Sequence, residues 1–453
     1  MRDLLMAAAE RALRYRESLD DRGVVPTAAA IGGLAALGGP LPGTPSDPAD
    51  VLALLDDAGS PATAASAGGR YFGFVIGSSL PVTVAAGWLA TAWDQNAGLA
   101  VMSPVAARLE EIALDWLREL LGLPPGCGGA FVSGATVANF TALAAARHTL
   151  LEQAGWDVEE DGLFGAPPIT VIVGDEVHVS LLKALSLLGL GRRRIVRVPV
   201  DNQGRMRADA LPPIAGPTIV CLQAGNVNTG AFDPAREICP IARQAGAWVH
   251  VDGAFGLWVA AAPERAQLAA GVSDADSWAT DAHKWLNVPY DSGFAFVRNP
   301  EHLVGAMAPS AAAYLPSEGV REPSHYTPES SRRARGVEAW AAVRALGRSG
   351  VADLVERTCR YAEQFAEGLR GAGYQVLNEV VLNQVLVSFG STERTQQVIL
   401  ALQQEGTCWC GTTVWQGRTA MRISVCSWAT RDEDVERSLA AMLRVAGNSP
   451  PAQ

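Results

Sequence analysis

Two residues in the middle of the chain have the types and positions that covalent chemistry requires. Asp252 follows the apolar run Ala247–Val249 and precedes a turn of small residues, so a buried strand is predicted to present its carboxylate at the strand's C-terminal end. Lys284 follows a second predicted strand, Asp276–Thr280, and its immediate neighbours carry no permanent charge. Partial desolvation in such surroundings favours the neutral amine, which can form a Schiff base with an aldehyde.

An amine and a carboxylate in this arrangement suit the cofactor pyridoxal 5'-phosphate (PLP). PLP requires a lysine for its aldehyde and a carboxylate to keep its pyridine nitrogen protonated, because only the protonated ring is a strong electron sink. The pair Asp252 and Lys284 therefore predicts a PLP site. The seven scattered cysteines form no disulfide framework, and Cys408 and Cys410 lack the second ligand pair that zinc would need, so no metal is expected.

Five short motifs extend this interpretation to almost the whole chain. In chain order they are Asp175–His178, Gly225–Gly230, His250–Asp252, Asp281–Lys284 and Ser331–Arg335. Together they resemble the group II PLP-dependent decarboxylases, the glutamate and aromatic amino acid decarboxylase family, and the resemblance runs from about Tyr71 to Val445. It implies an α/β protein with the PLP-dependent transferase fold (fold-type I), whose large domain holds a mostly parallel seven-stranded sheet.

The implied organisation has three parts: an N-terminal helical arm at 1–69, a PLP-binding large domain at 70–345 and a small α+β C-terminal domain at 346–453. The resemblance also implies a homodimer with the active site at the subunit interface, in which the arm packs across the partner. An arm that caps its own subunit is the alternative.

The cofactor phosphate has a predicted position at the start of a helix. The segment Gly128–Thr136 is predicted as a strand that runs into a turn of small residues, and a helix follows it. Free backbone N–H groups and the positive end of the helix dipole bind anions at such a point, so we assign Gly134, Ala135 and Thr136 to the phosphate. The resemblance adds Asp281 and His283 to the cofactor-binding residues.

Two polar residues near predicted strand ends have open roles. His178 follows the strand Thr170–Val173, and the resemblance implies that its ring stacks on the PLP ring; a histidine that caps its own loop is the alternative. Asn226 lies in the polar loop Gln223–Gly230, where the resemblance implies a hydrogen bond to PLP or substrate. An asparagine that only stabilises the turn is equally compatible with the sequence.

A long segment without periodicity, from Pro309 to Ser330, matches the position of a catalytic loop in the resembled family. That loop carries a tyrosine that returns a proton to the substrate carbon. Alignment on the Ser331–Arg335 motif places Pro323 at the tyrosine's position, so His325 or Tyr326 is predicted to substitute for it. Tyr314 is the other tyrosine of this segment.

Three further residues are predicted to contact the substrate. Phe74 and Ile76 lie in the irregular, glycine-rich segment Arg70–Ser79, which lines the substrate pocket in the resembled family. Arg422, on the last predicted strand, could bind an α-carboxylate, and a structural ion pair is the alternative. The apolar character of Phe74 and Ile76 favours an apolar or aromatic amino acid over glutamate.

Composition excludes several other classes of protein. The 453 residues with 49% hydrophobic content suit a large core, and the net charge of −11 argues against nucleic acid as a partner. The N-terminus contains charges too early for a secretory signal, and no apolar run is long enough to cross a bilayer. A soluble cytoplasmic enzyme of amino acid and carboxylic acid metabolism is therefore expected, with a small-molecule substrate.

The function predicted from the sequence is decarboxylation of an L-amino acid to an amine and CO2 through a Schiff base at Lys284. The missing loop tyrosine and Arg422 keep other PLP reactions open: those of an aldolase or other lyase, an aminotransferase, or an aldehyde-forming oxidative deaminase. A regulatory PLP-binding protein is a further alternative, although no DNA-binding extension is evident.

Overall fold

A computed structural model of the chain describes residues 1–308 and 321–448. Contacts between Cα atoms divide the chain into two compact units. The first unit combines Met1–Ser78 with Tyr361–Leu377 and with the residues from Val385 onward, and the second contains Ser79–Arg360 and Asn378–Gln384. The N-terminal segment thus belongs to the same compact unit as the C-terminal part of its own chain. The predicted packing of the arm across a dimer partner stays a prediction.

The helices agree closely with the apolar periodicity of the sequence, and several begin at a proline, which suits the first turn. In chain order they are α1 (Arg2–Glu17), α2 (Ala28–Gly33), α3 (Pro48–Gly59), α4 (Pro81–Trp93), α5 (Pro104–Leu120), α6 (Ala135–Gln153), α7 (Val158–Asp161), α8 (Val179–Leu187), α9 (Ala235–Gln244), α10 (Glu301–Met307), α11 (Gly336–Gly371, broken at Gly347), α12 (Thr392–Glu405) and α13 (Asp432–Asn448). Short 3-10 helices lie at Leu34–Leu37, Ser60–Ala62, Ala208–Ala210, Gly256–Ala261, Ala266–Ala269, Val272–Asp274 and Pro323–Tyr326.

Eleven strands form two sheets within the described residues. They are β1 (Gly128–Val132), β2 (Thr170–Gly174), β3 (Val196–Val198), β4 (Thr218–Gln223), β5 (Trp248–Asp252), β6 (Ser277–Asp281), β7 (Gly293–Val297), β8 (Gln375–Val376), β9 (Gln384–Ser388), β10 (Gly411–Trp415) and β11 (Arg418–Ser424). The larger sheet has seven strands in the order β1-β7-β6-β5-β4-β2-β3, and the smaller sheet has the order β10-β11-β9-β8.

In the larger sheet, β7 is antiparallel to both of its neighbours, and the other pairs are parallel. β4, β5 and β6 are buried almost throughout, as strands covered on both faces are. The seven-stranded, mostly parallel sheet predicted for the large domain is therefore confirmed. The C-terminal ends of β2, β4, β5 and β6 lie along one edge, where open α/β sheets bind their ligands.

Arg332 of the Ser331–Arg335 motif belongs to a buried ion-pair network. Arg332 is fully buried, with its guanidinium 2.9 Å from Glu110 of α5 and a second nitrogen donating to the Phe131 carbonyl of β1. Arg321 lies 3.2 Å from the other oxygen of Glu110 and donates to the Gly129 carbonyl. These bonds fix the chain after residue 320 against α5 and β1. Every helix in residues 1–308 and 321–448 is too short or too polar to traverse a lipid bilayer.

Candidate active site

The predicted amine and carboxylate meet at the expected sheet edge. Asp252 is the last residue of β5, and Lys284 follows the end of β6 by three residues. Both line one cavity. Its lining residues are His178, Gln223, Gly225, Val227, Asp252, Ala254, Phe255 and Lys284. Since β5 and β6 are parallel neighbours, the sheet brings together two side chains that are far apart in sequence.

Asp252 is held by hydrogen-bond donors on both sides. Its Oδ2 accepts a hydrogen bond of 3.1 Å from the Asn139 amide nitrogen, and its Oδ1 accepts one of 3.2 Å from the Ala254 N–H. The side chain is 5% exposed. A buried carboxylate that accepts from two donors is fixed in orientation and suits a cationic ring nitrogen as its next partner.

Lys284 has an ionic partner that the sequence did not indicate. Its Nζ lies 2.9 Å from Oδ2 of Asp281, which is 3% exposed. The other Asp281 oxygen accepts a 2.6 Å hydrogen bond from the backbone N–H of Ala135, at the start of α6. The prediction that Lys284 has no ionised neighbour is therefore wrong. The turn after β6 places the Asp281 carboxylate against the amine of Lys284, three residues further along the chain.

His283 is a neutral donor beside the same carboxylate. Its Nδ1 accepts a hydrogen bond from the Ser292 N–H, so the ring proton lies on Nε2, 3.5 Å from Asp281. Burial lowers the pKa of His283, and this effect outweighs the opposing attraction of Asp281. Its ring centroid lies 4.4 Å from that of Tyr290.

The start of α6 is built for close approach of the backbone. Gly134 offers no side chain to cap the helix, and a Cβ there would lie 2.9 Å from the His283 ring. Gly293 of β7 approaches equally closely, since its Cβ would lie 2.7 Å from the Gly134 Cα. The N–H groups of Ala135 and Thr136 thus begin a 19-residue helix beside a histidine donor. The Ala135 N–H already donates to Asp281, so the assignment of the cofactor phosphate to Gly134, Ala135 and Thr136 stays a prediction.

His178 makes the contacts of its second predicted interpretation, a histidine that caps its own loop. Its Nδ1 lies 2.7 Å from the Ser180 hydroxyl and accepts from the Ser180 N–H, so it caps α8. The same side chain lines the cavity with Asp252 and Lys284. Stacking on the cofactor ring stays a prediction, and the cap is what holds the imidazole at the cavity.

Asn226 stabilises its own turn. The side-chain oxygen accepts hydrogen bonds from the N–H groups of Asn228 and Thr229, and the amide nitrogen donates to the Gln223 side chain at 3.3 Å. Gln223, at the end of β4, lines the cavity, whereas Asn226 is not among the lining residues. The described contacts are those of the turn interpretation, and contact with a ligand stays a prediction.

The two substitutes predicted for the loop tyrosine have other surroundings. The Tyr326 ring packs against the apolar cluster around Leu143 and Leu303, and the Arg321 guanidinium lies 4.4 Å from the ring centroid. Nε2 of His325 is buried and has no hydrogen-bond partner in the described part of the chain. Neither residue lines the cavity, so their catalytic role stays a prediction. Tyr314 lies outside the described residues.

The predicted substrate residues Phe74, Ile76 and Arg422 belong to the other compact unit. Phe74 is 61% exposed, adopts a left-handed conformation with φ 56°, and stacks on Trp409 with 5.2 Å between ring centroids. Ile76 is half-buried in the same irregular segment. Arg422 lies on β11, where burial lowers its pKa. Their contacts with substrate stay predictions.

The sequence did not indicate several residues of the site. Gln223, Val227, Ala254 and Phe255 complete the cavity wall, and Asn139 lies against Asp252. Only Gln223 had a signal in the sequence, its position at the end of a predicted strand, because the other contacts depend on how a helix and turns pack on the sheet.

The chain is similar in sequence to several proteins named as decarboxylases. Aromatic-L-amino-acid decarboxylase of Bacillus atrophaeus is 29% identical over 314 residues, which are 65% of this chain and 62% of that protein. The enzyme of the same name from Drosophila lebanonensis is 29% identical over 368 residues, 75% of this chain and 88% of that protein. Aspartate 1-decarboxylase of Aliivibrio fischeri is 32% identical over 255 residues, 53% of this chain and 46% of that protein.

Among solved structures, Oryza sativa TDC with PLP and tryptamine superposes with a TM-score of 0.90 at 22% identity, covering 98% of this chain and 97% of that one. This likeness confirms the predicted fold. The pyridoxal-dependent decarboxylase conserved domain matches residues 68–390, and the match confirms the predicted family, the enzyme class of carboxy-lyases and the cofactor PLP. The chain belongs to the pyridoxal-dependent decarboxylase family.

Proposed function

We propose that the chain removes the α-carboxylate of an aromatic or other apolar L-amino acid and releases the amine and CO2. The observation that carries the proposal is that Lys284 and Asp252, the amine and the carboxylate that PLP requires, line the same cavity. Bound PLP supplies the electron sink that accepts the electron pair left on Cα when CO2 departs.

Each residue at the cavity has a role in this proposal. Lys284 would provide the amine for the aldehyde, and Asp281 lies 2.9 Å from that amine. Asp252 would accept a hydrogen bond from the ring nitrogen, and the start of α6 together with His283 would hold the phosphate. His178 covers the ring. Lys284 lines the cavity, so its protonated side chain would be placed to return a proton to the substrate Cα.

The lining of the cavity supports an apolar substrate. Val227 and Phe255 give it apolar surface, and among its lining residues only Lys284 and His178 can carry positive charge. A second carboxylate, as in glutamate or aspartate, would therefore find no dedicated partner there. Phe74 and Ile76 are proposed as further substrate contacts. Two relatives named for aromatic amino acids agree, whereas the similar aspartate 1-decarboxylase marks the alternative.

The test is CO2 release from L-tryptophan, L-tyrosine, L-phenylalanine, L-glutamate and L-aspartate. We expect release from an aromatic substrate to fall at least ~1000-fold in Lys284→Ala, because the covalent path is lost. Lys183, exposed on α8, is the only other lysine of the chain, so Lys183→Ala is a matched control that retains activity. Unchanged release in Lys284→Ala would exclude Lys284 from the reaction, and preference for L-glutamate or L-aspartate would overturn the substrate proposal.

A second candidate function is oxidative conversion of the amino acid to an aldehyde. It is favoured by the surroundings of His325 and Tyr326, neither of which lines the cavity as a proton donor for the substrate carbon. In that reaction the substrate, O2 and water give the aldehyde, CO2, ammonia and hydrogen peroxide. Oxygen uptake with peroxide in the product mixture would support it, whereas amine formation without oxygen uptake supports decarboxylation.

We also propose that the chain acts as a homodimer with the active site at the subunit interface. The arm supports this, since Leu5 of α1 is 62% exposed and Leu54 and Leu55 of α3 are 46% and 59% exposed. Light scattering should give about twice the chain mass of 47.5 kDa. A monomer that retains full activity would contradict the proposal.

A further inference from the structure

A row of buried polar side chains leads to Asp252 from inside the protein. Trp248, His250 and Asp252 alternate along β5, so their side chains lie on one face of the sheet. Ser277 of β6 is the register partner of His250, and Asn139 lies on α6, which packs against β5 and β6. His250, Ser277 and Asn139 are each 0% exposed.

Consecutive members of this row are within hydrogen-bond distance. Nε1 of Trp248 lies 2.8 Å from Oγ of Ser277, which lies 2.9 Å from Nδ1 of His250. Nε2 of His250 lies 2.9 Å from Oδ1 of Asn139, and Nδ2 of Asn139 lies 3.1 Å from Oδ2 of Asp252. Four hydrogen bonds therefore join an indole to a carboxylate.

The chemistry of the two ends sets the direction of every bond between them. An ionised carboxylate only accepts, so the Asn139 amide donates to Asp252 and turns its oxygen toward His250. That oxygen requires a proton on Nε2 of His250. The ring is neutral, because burial lowers the pKa of His250 to about 3, and so its Nδ1 accepts from the Ser277 hydroxyl. Trp248, which only donates, completes the series by donating to Ser277.

We propose that Asn139 is a positioning residue for the cofactor, held by the relay Trp248–Ser277–His250 so that it fixes the orientation of Asp252 for the PLP ring nitrogen. This inference rests on the proposed function, in which Asp252 meets that nitrogen. A carboxylate that is already oriented loses little freedom when the cofactor binds. Apolar side chains of similar shape would fill the same space without any hydrogen bonds. The polar side chains present here instead form four matched hydrogen bonds that end at the one carboxylate, Asp252.

The test compares Asn139→Leu and Ser277→Ala with a control on the same helix, Thr141→Val. Within the described residues the buried Thr141 hydroxyl has no hydrogen-bond partner, so its removal changes volume little and breaks no bond seen there. Three quantities are measured for each protein. They are the dissociation constant of PLP from the apoprotein, the pH dependence of the near-visible absorbance of bound PLP, and the melting temperature of the apoprotein.

We expect Asn139→Leu to weaken PLP binding about tenfold or more, the size of a lost hydrogen bond to a charged group, and to shift the pH at which the absorbance changes. Ser277→Ala should shift both quantities in the same direction and by less, since it acts through His250. Thr141→Val should match the wild type in both. A purely structural role would lower the melting temperature and leave the pH profile unchanged.

Two outcomes overturn the inference. In the first, Asn139→Leu has the same PLP affinity and pH profile as Thr141→Val, whereas Asp252→Asn binds PLP more weakly and has a changed pH profile. The relay would then have no role, and the proposed cofactor site would be unaffected. If Asp252→Asn also behaves as the wild type, the proposed function fails and the relay fails with it. Should Asn139→Leu not fold, a wild-type profile in Ser277→Ala overturns the relay.

Discussion

Single carboxylates near the sheet edge have three different surroundings. Asp252 accepts from two donors, and Asp281 is paired with Lys284. Asp233 is fully buried: burial raises its pKa to about 6, even though the N–H groups of Met206 and Gln223 donate to its two oxygens. Asp233 thus fixes the backbone at the end of β4. Asp252 instead lines the cavity, and Asp281 is paired with Lys284, which also lines it.

Individual site residues could be predicted from the sequence where the chemistry requires one particular residue type. Asp252 and Lys284 were identifiable because each follows an apolar strand and because PLP needs both. Asn139 was not, since within a helix of small residues an asparagine has no distinguishing pattern until the helix is packed against β5. The bond between Asp281 and Lys284 likewise depends on the turn after β6.

His250 should make the protein sensitive to acid. The unfolded chain binds a proton at this residue near pH 6.5, and the folded chain only near pH 3, so protonation favours unfolding as the pH falls through that window. Between pH 7 and pH 5 this effect lowers the free energy of unfolding by about 2 kcal/mol. We expect His250→Gln to lack this part of the pH dependence. Urea unfolding of both apoproteins at the two pH values measures it, and equal changes in wild type and variant would contradict it.

Among the structural elements, the start of α6 and the start of β7 pack closely against each other. Gly134 and Gly293 bring the two backbones together at the predicted phosphate position. The strands β2, β4 and β5 were predicted because their apolar, β-branched residues leave few alternatives. β10 was missed: it is an edge strand in which exposed and half-buried residues alternate, so its apolar signal is weak.

Gly293→Ala should separate these two elements. Its Cβ would lie 2.7 Å from the Gly134 Cα, and backbone atoms cannot move aside as a flexible side chain can. We expect a loss of about 1–3 kcal/mol of stability and weaker PLP binding. Gly174→Ala is the matched control, because Gly174 ends β2 in the same sheet and its Cβ would make an ordinary contact of 3.5 Å with Val200. Equal melting temperatures and PLP affinities for the two variants would refute the close-approach explanation.

For the whole molecule, the fold and the cofactor were predictable and the substrate was not. Four of the five motifs each contribute a residue to one cavity at the edge of a common sheet: His178, Gly225, Asp252 and Lys284. The proposed substrate contact Phe74 and the cavity residue Phe255 lie in separate segments, an irregular loop and a turn, so no single pattern in the sequence identifies such residues.

The composition of the whole chain permits one decisive measurement. Among 36 basic residues the chain has two lysines, Lys183 and Lys284. Borohydride reduction of the protein with bound PLP fixes the cofactor to the lysine that holds it, and peptide mass mapping then identifies that lysine. The account predicts complete labelling of the peptide that contains Lys284, together with loss of the near-visible absorbance. Labelling at Lys183, or no labelling of either peptide, would contradict it.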